Sequence, residues 1–120
     1  MKYILILLVG ILFFGCSNYD KVTKHNEKYY QTQLCNRLNG VMEYRLKDRT
    51  RVDCLTSEYA IEVDWAKKWA ESIGQSLYYA QMTNKTPAVG LICGENDTRF
   101  LKRLKTVAKK EHIKIFVITK

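Results

Sequence analysis

Three carboxylates lie at positions from which they can meet in a folded sheet. Asp53 lies in residues 51–55, and Glu62 and Asp64 lie in residues 59–65. Both stretches alternate apolar and polar residues, as half-buried strands do, and the short segment between them is typical of a tight turn. Asp53 and Glu62 can then approach each other across a hairpin. Clustered acids in a basic chain suit a divalent metal that acts on a phosphodiester.

The acids of the third predicted strand share one of its faces. Glu62 and Asp64 alternate with apolar residues, so the opposite face carries Ile61, Val63 and Trp65. Like charges at hairpin distance repel one another, and a bound cation relieves that repulsion. The alternative is an ordinary ion network, in which the acids pair with arginines of neighbouring strands or with a helix lysine.

The helix predicted at about residues 66–82 carries a polar row beside these acids. At about 100° per residue, four polar residues fall within about 60° of one another. They are Lys68, Ser72, Gln75 and Tyr79. The predicted core stripe on the other side is Ala66, Ala70, Ile73 and Leu77. The row offers a cation, an amide and a phenol near Glu62, and its simplest alternative is a solvated face.

The remaining pattern predicts an α/β chain with a mixed sheet and flanking helices. Helices are predicted at residues 26–38, 66–82 and 97–111. Strands are predicted at residues 41–46, 51–55, 59–65, 88–94 and 113–119. The order is therefore α-β-β-β-α-β-α-β. The strand at 88–94 is wholly apolar, which favours a buried central position.

Over residues 26–120, this chain resembles the PD-(D/E)XK nuclease superfamily, which has the restriction-endonuclease-like fold. The element order is similar to that core, Asp53 matches the second-strand aspartate, and Glu62 matches the acid of the next strand. Gln75 and Tyr79 resemble the Gln-x-x-x-Tyr helix motif of the exonuclease branch. The resemblance implies that the acids hold Mg²⁺ or Mn²⁺ and position water against a DNA phosphorus. It also implies that Gln75 and Tyr79 orient the catalytic lysine or hold the substrate backbone.

The chain departs from the family at the position of that lysine. The family has a lysine two residues after the second acid, which polarises the water, whereas this chain has Asp64 there. We expect Asp53 and Glu62 as catalytic metal ligands and Asp64 as a third ligand or a residue just outside the ligand set. Lys68, one helical turn further on, is expected to replace the missing ammonium. The family often supplies another acid from the first helix, where Glu27 is the only carboxylate.

The missing lysine supports a second function from another class. A catalytically inert domain that kept the fold would act as an envelope binding module. A third alternative is a small structural lipoprotein whose basic face rests on anionic lipid. The net charge of +8 suits nucleic acid, anionic lipid or an acidic polymer alike. The third predicted helix carries six cations, which either contact phosphates or form a solvated face: Arg99, Lys102, Arg103, Lys105, Lys109 and Lys110.

The N-terminus predicts export from a bacterial cell. Residues 1–15 contain one lysine and an apolar run of about a dozen residues, shorter than the roughly 20 that span a bilayer. With Gly15 before Cys16, the segment resembles a lipoprotein-type signal peptide, in which Cys16 is lipidated. We therefore predict a membrane-anchored envelope lipoprotein with a tether at 16–25 and a single domain at 26–120. The alternative is an uncleaved anchor helix. The sequence does not identify a protein partner.

The other three cysteines fit an oxidising compartment. Cys35 and Cys54 are expected to form a disulfide, and Cys93 is expected to be a free, buried thiol within an apolar strand. The chain has no Cys-x-x-Cys spacing and only two histidines, far apart, so a zinc site is not expected.

Overall fold

The computed structural model describes residues 24–120. The predicted signal peptide, Cys16 and most of the tether lie outside the described residues. The described elements are α1 (Glu27–Arg37), β1 (Val41–Arg45), β2 (Arg51–Leu55), β3 (Tyr59–Trp65), α2 (Trp69–Thr83), β4 (Thr86–Cys93), α3 (Thr98–Glu111) and β5 (Lys114–Thr119), with a 3₁₀ turn at Ala66–Lys68. The predicted α/β class, with a mixed sheet and flanking helices, is confirmed. No helix within this described range has the length and apolar composition needed to cross a membrane.

The five strands form one sheet in the order β1-β2-β3-β4-β5. The first three are antiparallel because tight turns join them. The Leu46 amide donates to the Thr50 carbonyl at 2.8 Å in the first turn, and the Thr56 amide donates to the Tyr59 carbonyl at 2.9 Å in the second. The last three strands are parallel because α2 and α3 carry the chain back between them. The apolar β4 lies between β3 and β5, as expected.

Both faces of the sheet are covered. On one face α1 packs through Leu34 and Cys35 against a cluster that includes Ile61, Val63 and Ile92. On the other face α3 packs through Leu104 and Ala108 against Val89 and Leu91, with partly buried residues of α2 beside them. Glu62 and Asp64 do lie on the face opposite Ile61 and Val63, but that face is buried beneath α2.

The predicted core stripe of α2 was right in part, since Ala66 is buried and Ile73 and Leu77 pack partly buried against the core. Ala70, assigned to the core stripe, is exposed, whereas Ser72, Ser76 and Tyr79 are buried. The serine hydroxyls donate to carbonyls one turn earlier, at 2.7 Å and 2.9 Å, so the serines need no solvent. Their small side chains therefore fit against the sheet. Residues 66–68 form the 3₁₀ turn instead of the first turn of the helix.

Helix α1 is capped at its start and joined to β2 by a disulfide near its end. Asn26 caps the helix, since its side-chain oxygen accepts a hydrogen bond from the Tyr29 amide at 3.0 Å. Near the other end of the helix, Cys35 is bonded to Cys54, with their Cα atoms 5.6 Å apart. Gly40 lies against the bridge, where a Cβ atom would collide with both sulfur atoms. Cys93 is a free, buried cysteine.

Candidate functional site

Strand β2 twists sharply at Asp53. Val52 and Cys54, two residues apart, belong to core clusters on opposite faces of the sheet, although such residues share a face in a regular strand. Backbone pairing of β2 with β3 runs from Leu55 to Cys54 and ends there. Beyond it, the Asp53 carboxylate accepts a hydrogen bond from the Val63 amide at 2.8 Å. The Asp53 side chain thus takes the place of the next backbone hydrogen bond between β2 and β3, and it lies between the two strands.

A cavity of about 600 Å³ opens at this distortion. Its walls come from α1, β1, β2, β3, α2 and the β1–β2 turn. Four acids line it: Glu27, Glu43, Asp53 and Glu62. Three cations line it as well: Lys28, Arg49 and Arg51. The cavity therefore combines carboxylate oxygens with groups that bind anions.

The carboxyl groups of Asp53 and Glu62 line the same cavity and lie close enough for each to shift the pKa of the other. Glu62 is only 6% exposed. Burial, followed by the neighbouring charge of Asp53, raises the pKa of Glu62 to about 9. Burial also raises the pKa of Asp53, opposed by the Val63 amide and by Glu62. The raised pKa values disfavour two full negative charges on this pair at neutral pH.

Asp64 lies near Glu27 and Lys68 and does not line the cavity. It is 5% exposed, and its carboxylate accepts a hydrogen bond from the Trp65 amide at 2.9 Å. Burial raises its pKa to about 6, opposed by that amide and by Lys68. Burial, followed by the charge of Asp53, raises the pKa of Glu27, and Lys68 opposes this rise. The acid of the first helix is therefore near enough to Asp53 to be affected by its charge.

Lys68 contacts Asp64 and not the Asp53–Glu62 pair. Its ammonium nitrogen lies 3.9 Å from the Asp64 carboxylate, and 54% of its side chain is exposed. The cavity lining comes from residues 26–79 and does not include Lys68 or Asp64. The predicted lysine is therefore beside the cavity, one side chain away from its acids.

Gln75 and Tyr79 both line the cavity and lie one turn apart on α2. Burial, followed by the charges of Glu62 and Asp53, raises the pKa of the Tyr79 phenol. Tyr79 also packs against Val52 of the twisted strand. Tyr79 therefore belongs both to the core and to the cavity lining. The sequence predicted only its place on the polar face.

Sequence reasoning did not identify Gln31, although it connects the site. It is 4% exposed, and its side-chain amide donates to the Asp53 carbonyl at 2.8 Å and to the Glu43 carboxylate at 3.0 Å. Its position one helical turn after Glu27 was the only signal that could have found it. Glu43 of β1 has a left-handed backbone with φ of 55°. A glutamate seldom adopts that conformation, so no local pattern indicates it.

The donor set suits a hard cation. Among residues 24–120, no three carboxylate, imidazole or thiol side chains converge as a ready group of metal ligands. Mg²⁺ does not require such a group, because it usually binds one or two protein carboxylates together with waters and substrate phosphates. Asp53 and Glu62 offer this kind of oxygen donor. No known protein family, curated protein or solved structure matches the chain. The fold and the site define an α/β domain with a buried carboxylate pair in a polar cavity.

Proposed function

We propose that this protein is a metal-dependent nuclease of the PD-(D/E)XK type that hydrolyses DNA phosphodiester bonds at the bacterial cell envelope. The observation that carries the proposal is the carboxyl pair of Asp53 and Glu62 in one cavity with Gln75 and Tyr79. The order of elements along the chain supports the restriction-endonuclease-like assignment, because it is the order expected of that core.

Asp53 and Glu62 would hold Mg²⁺ or Mn²⁺, with Asp64 nearby as a third ligand or a residue just outside the ligand set. When bound, the metal would supply a Lewis acid that activates water and balances charge at the phosphate. Without the metal, a proton on this pair would take the place of the cation, because two adjacent buried carboxylates do not readily both ionise. Glu62 must lose this proton before its carboxylate can act as a full ligand.

The other side chains would position the substrate. The Gln75 amide and the Tyr79 hydroxyl are hydrogen-bond donors on the cavity wall and would hold the DNA backbone or orient the lysine. Lys68 would polarise the attacking water. The long exposed side chain of Lys68 can turn from Asp64 toward the cavity, because a contact of 3.9 Å at the surface holds it only weakly.

The test is cleavage of labelled DNA by the full-length chain in detergent, with Mg²⁺ or Mn²⁺ and with chelator. Asp53→Asn should abolish metal-dependent cleavage and the rise in melting temperature that the metal produces by mass action. The matched control is Glu95→Gln, which removes an exposed acid from a loop that does not line the cavity. Cleavage that survives Asp53→Asn would refute the proposal.

An inert binding module is the second candidate, and the position of Lys68 favours it. The family's lysine position is occupied by Asp64, and Lys68 is outside the cavity lining. In this case metal would still stabilise the protein through Asp53 and Glu62, but neither single-stranded nor double-stranded DNA would be cut. The same assay therefore separates the two candidates.

The envelope location is part of the proposal. The disulfide between Cys35 and Cys54 supports it, because such bridges persist in oxidising compartments. The apolar segment before Cys16 supports lipid anchoring, with the domain tethered to the membrane by its N-terminus.

A further inference from the structure

Glu43 lies within a set of donors that converge on its carboxylate. The ammonium of Lys28 is 2.8 Å from one oxygen, and the amide of Gln31 is 3.0 Å from the same oxygen. The guanidinium of Arg51 is 3.5 Å from the other oxygen. Arg49 lines the same cavity. Donors from a helix and a strand thus surround an anion, which in this structure is the protein's own side chain.

The backbone of Glu43 adopts the left-handed conformation. Its φ of 55° is unfavourable for a residue with a side chain, and such residues cluster at binding and switching sites. Glu43 belongs to β1, which is the edge strand of the sheet. Its neighbours Met42 and Tyr44 remain paired with β2. Movement of Glu43 therefore need not disturb the inner strands.

We propose that Glu43 occupies a phosphate-binding site, and that a phosphate group of a nucleic acid displaces it to bind Lys28, Arg51 and Gln31. The proposal rests on the proposed function, since it places the substrate in the same cavity. The site adjoins Asp53, because Gln31 contacts both the Glu43 carboxylate and the Asp53 carbonyl. A phosphate bound there would fix the strand beside the carboxyl pair.

The group can be an internal phosphodiester or a terminal phosphate. A diester carries one charge and two free oxygens, like the carboxylate it would replace. A terminal monoester carries nearly two charges and three acceptor oxygens, so it competes better with Glu43. We therefore expect oligonucleotides with a 5′-phosphate to bind more tightly than unphosphorylated ones. If the two affinities are equal and loss of Lys28 and Arg51 still weakens binding, the site binds an internal phosphate.

The first measurement is fluorescence anisotropy of a short 3′-labelled oligonucleotide with the full-length chain in detergent and chelator. Lys28→Ala/Arg51→Ala should weaken binding about tenfold and lower the salt slope by about 1 for each phosphate that the protein no longer neutralises. The control is Lys109→Ala/Lys110→Ala, which removes the same charge from the exposed end of α3. Equal weakening by both pairs would overturn the proposal, because binding would then follow overall charge.

The second measurement uses Glu43 itself. Glu43→Gln keeps the size of the side chain and removes the competing charge, so it should tighten metal-free binding several-fold. Glu95→Gln removes one negative charge elsewhere and controls for overall charge. If both variants tighten binding equally, Glu43 does not occupy the site.

These measurements are independent of catalysis because they are made without metal. A protein that binds as expected but never cleaves DNA supports the phosphate site and contradicts the nuclease. A protein that cleaves DNA but binds equally well without Lys28 and Arg51 contradicts the phosphate site alone.

Discussion

At the scale of single residues, Glu62 is a buried carboxyl group in a setting that favours its neutral form. It has almost no contact with solvent, and the charge of another carboxyl group, Asp53, acts on it. The unfolded chain would release this proton near pH 4.5, whereas the folded chain holds it to about pH 9. Folding and proton binding at Glu62 are therefore linked.

This linkage fixes the sign of a pH dependence for the metal-free protein. Because the pKa of Glu62 is raised on folding, its contribution to stability is complete below about pH 4.5 and is lost as the pH rises toward about 9. Glu62→Gln should remove this part of the decline, flattening the profile by at least ~1 kcal/mol or about 4–8 °C in Tm. Thermal melts from pH 5 upward in chelator would measure it. Glu95→Gln should keep the wild-type slope, and an equal slope in Glu62→Gln would contradict the linkage.

Lys68 is the residue whose proposed role differs most from its observed contact. If it polarises water, Lys68→Ala should lower the cleavage rate about 100-fold while metal binding, measured by calorimetry, stays the same. Lys67→Ala is the matched control, since Lys67 is an exposed neighbour and does not line the cavity. A loss of metal affinity in Lys68→Ala would show that Lys68 supports Asp64 and not the chemistry.

The residues that the sequence predicted and those it missed differ in a physical way. Asp53 and Glu62 were predictable because strand alternation and a short turn bring them together. Gln31 and Glu43 were not, because their roles depend on how α1 lies across the twisted part of β2. That arrangement depends on long-range packing, which no local spacing encodes.

At the scale of elements, α2 shows where pattern reasoning failed. A helix was predicted in the right part of the chain, and the Gln75–Tyr79 pair does line the cavity. The buried face extends beyond the predicted stripe, because Ser72 was counted as polar although its hydroxyl bonds to the helix backbone. Hydrophobicity alone does not detect serines that are small and internally satisfied.

The disulfide joins the element that carries Gln31 to the strand that carries Asp53. Its loop has a sequence separation of 19, for which the chain-entropy relation gives about 3 kcal/mol of stability. Cys35→Ser/Cys54→Ser should lose roughly that much in urea unfolding. It should also weaken metal binding, because α1 would no longer be fixed against β2.

Cys93→Ser serves as the control, since it changes a buried thiol that is not in the bridge. It should lower stability without the loss of metal affinity. Thiol titration of the denatured wild type without reductant should find Cys93 free and Cys35 and Cys54 protected. Free thiols at both of these positions would refute the bridge.

At the scale of the whole molecule, charge and site chemistry are separate properties. The net charge of +8 is carried largely by exposed side chains, many of them on α3. That charge would draw the protein to any polyanion and speed association without choosing a substrate. Selectivity must come from the cavity, where acids and cations occur together.

A lipid anchor at Cys16, as proposed, would determine which polyanions the protein meets. If Cys16 is lipidated, cells labelled with a fatty-acid analogue should mark the wild type and not Cys16→Ser. The variant should also leave the membrane fraction, unless residues 1–15 remain attached as an anchor helix. An unlabelled wild type would contradict the lipoprotein assignment, while the disulfide would still favour export. Label at Cys16 would place the basic domain within tether length of a bilayer, and the DNA it meets there would come from outside the cytoplasm.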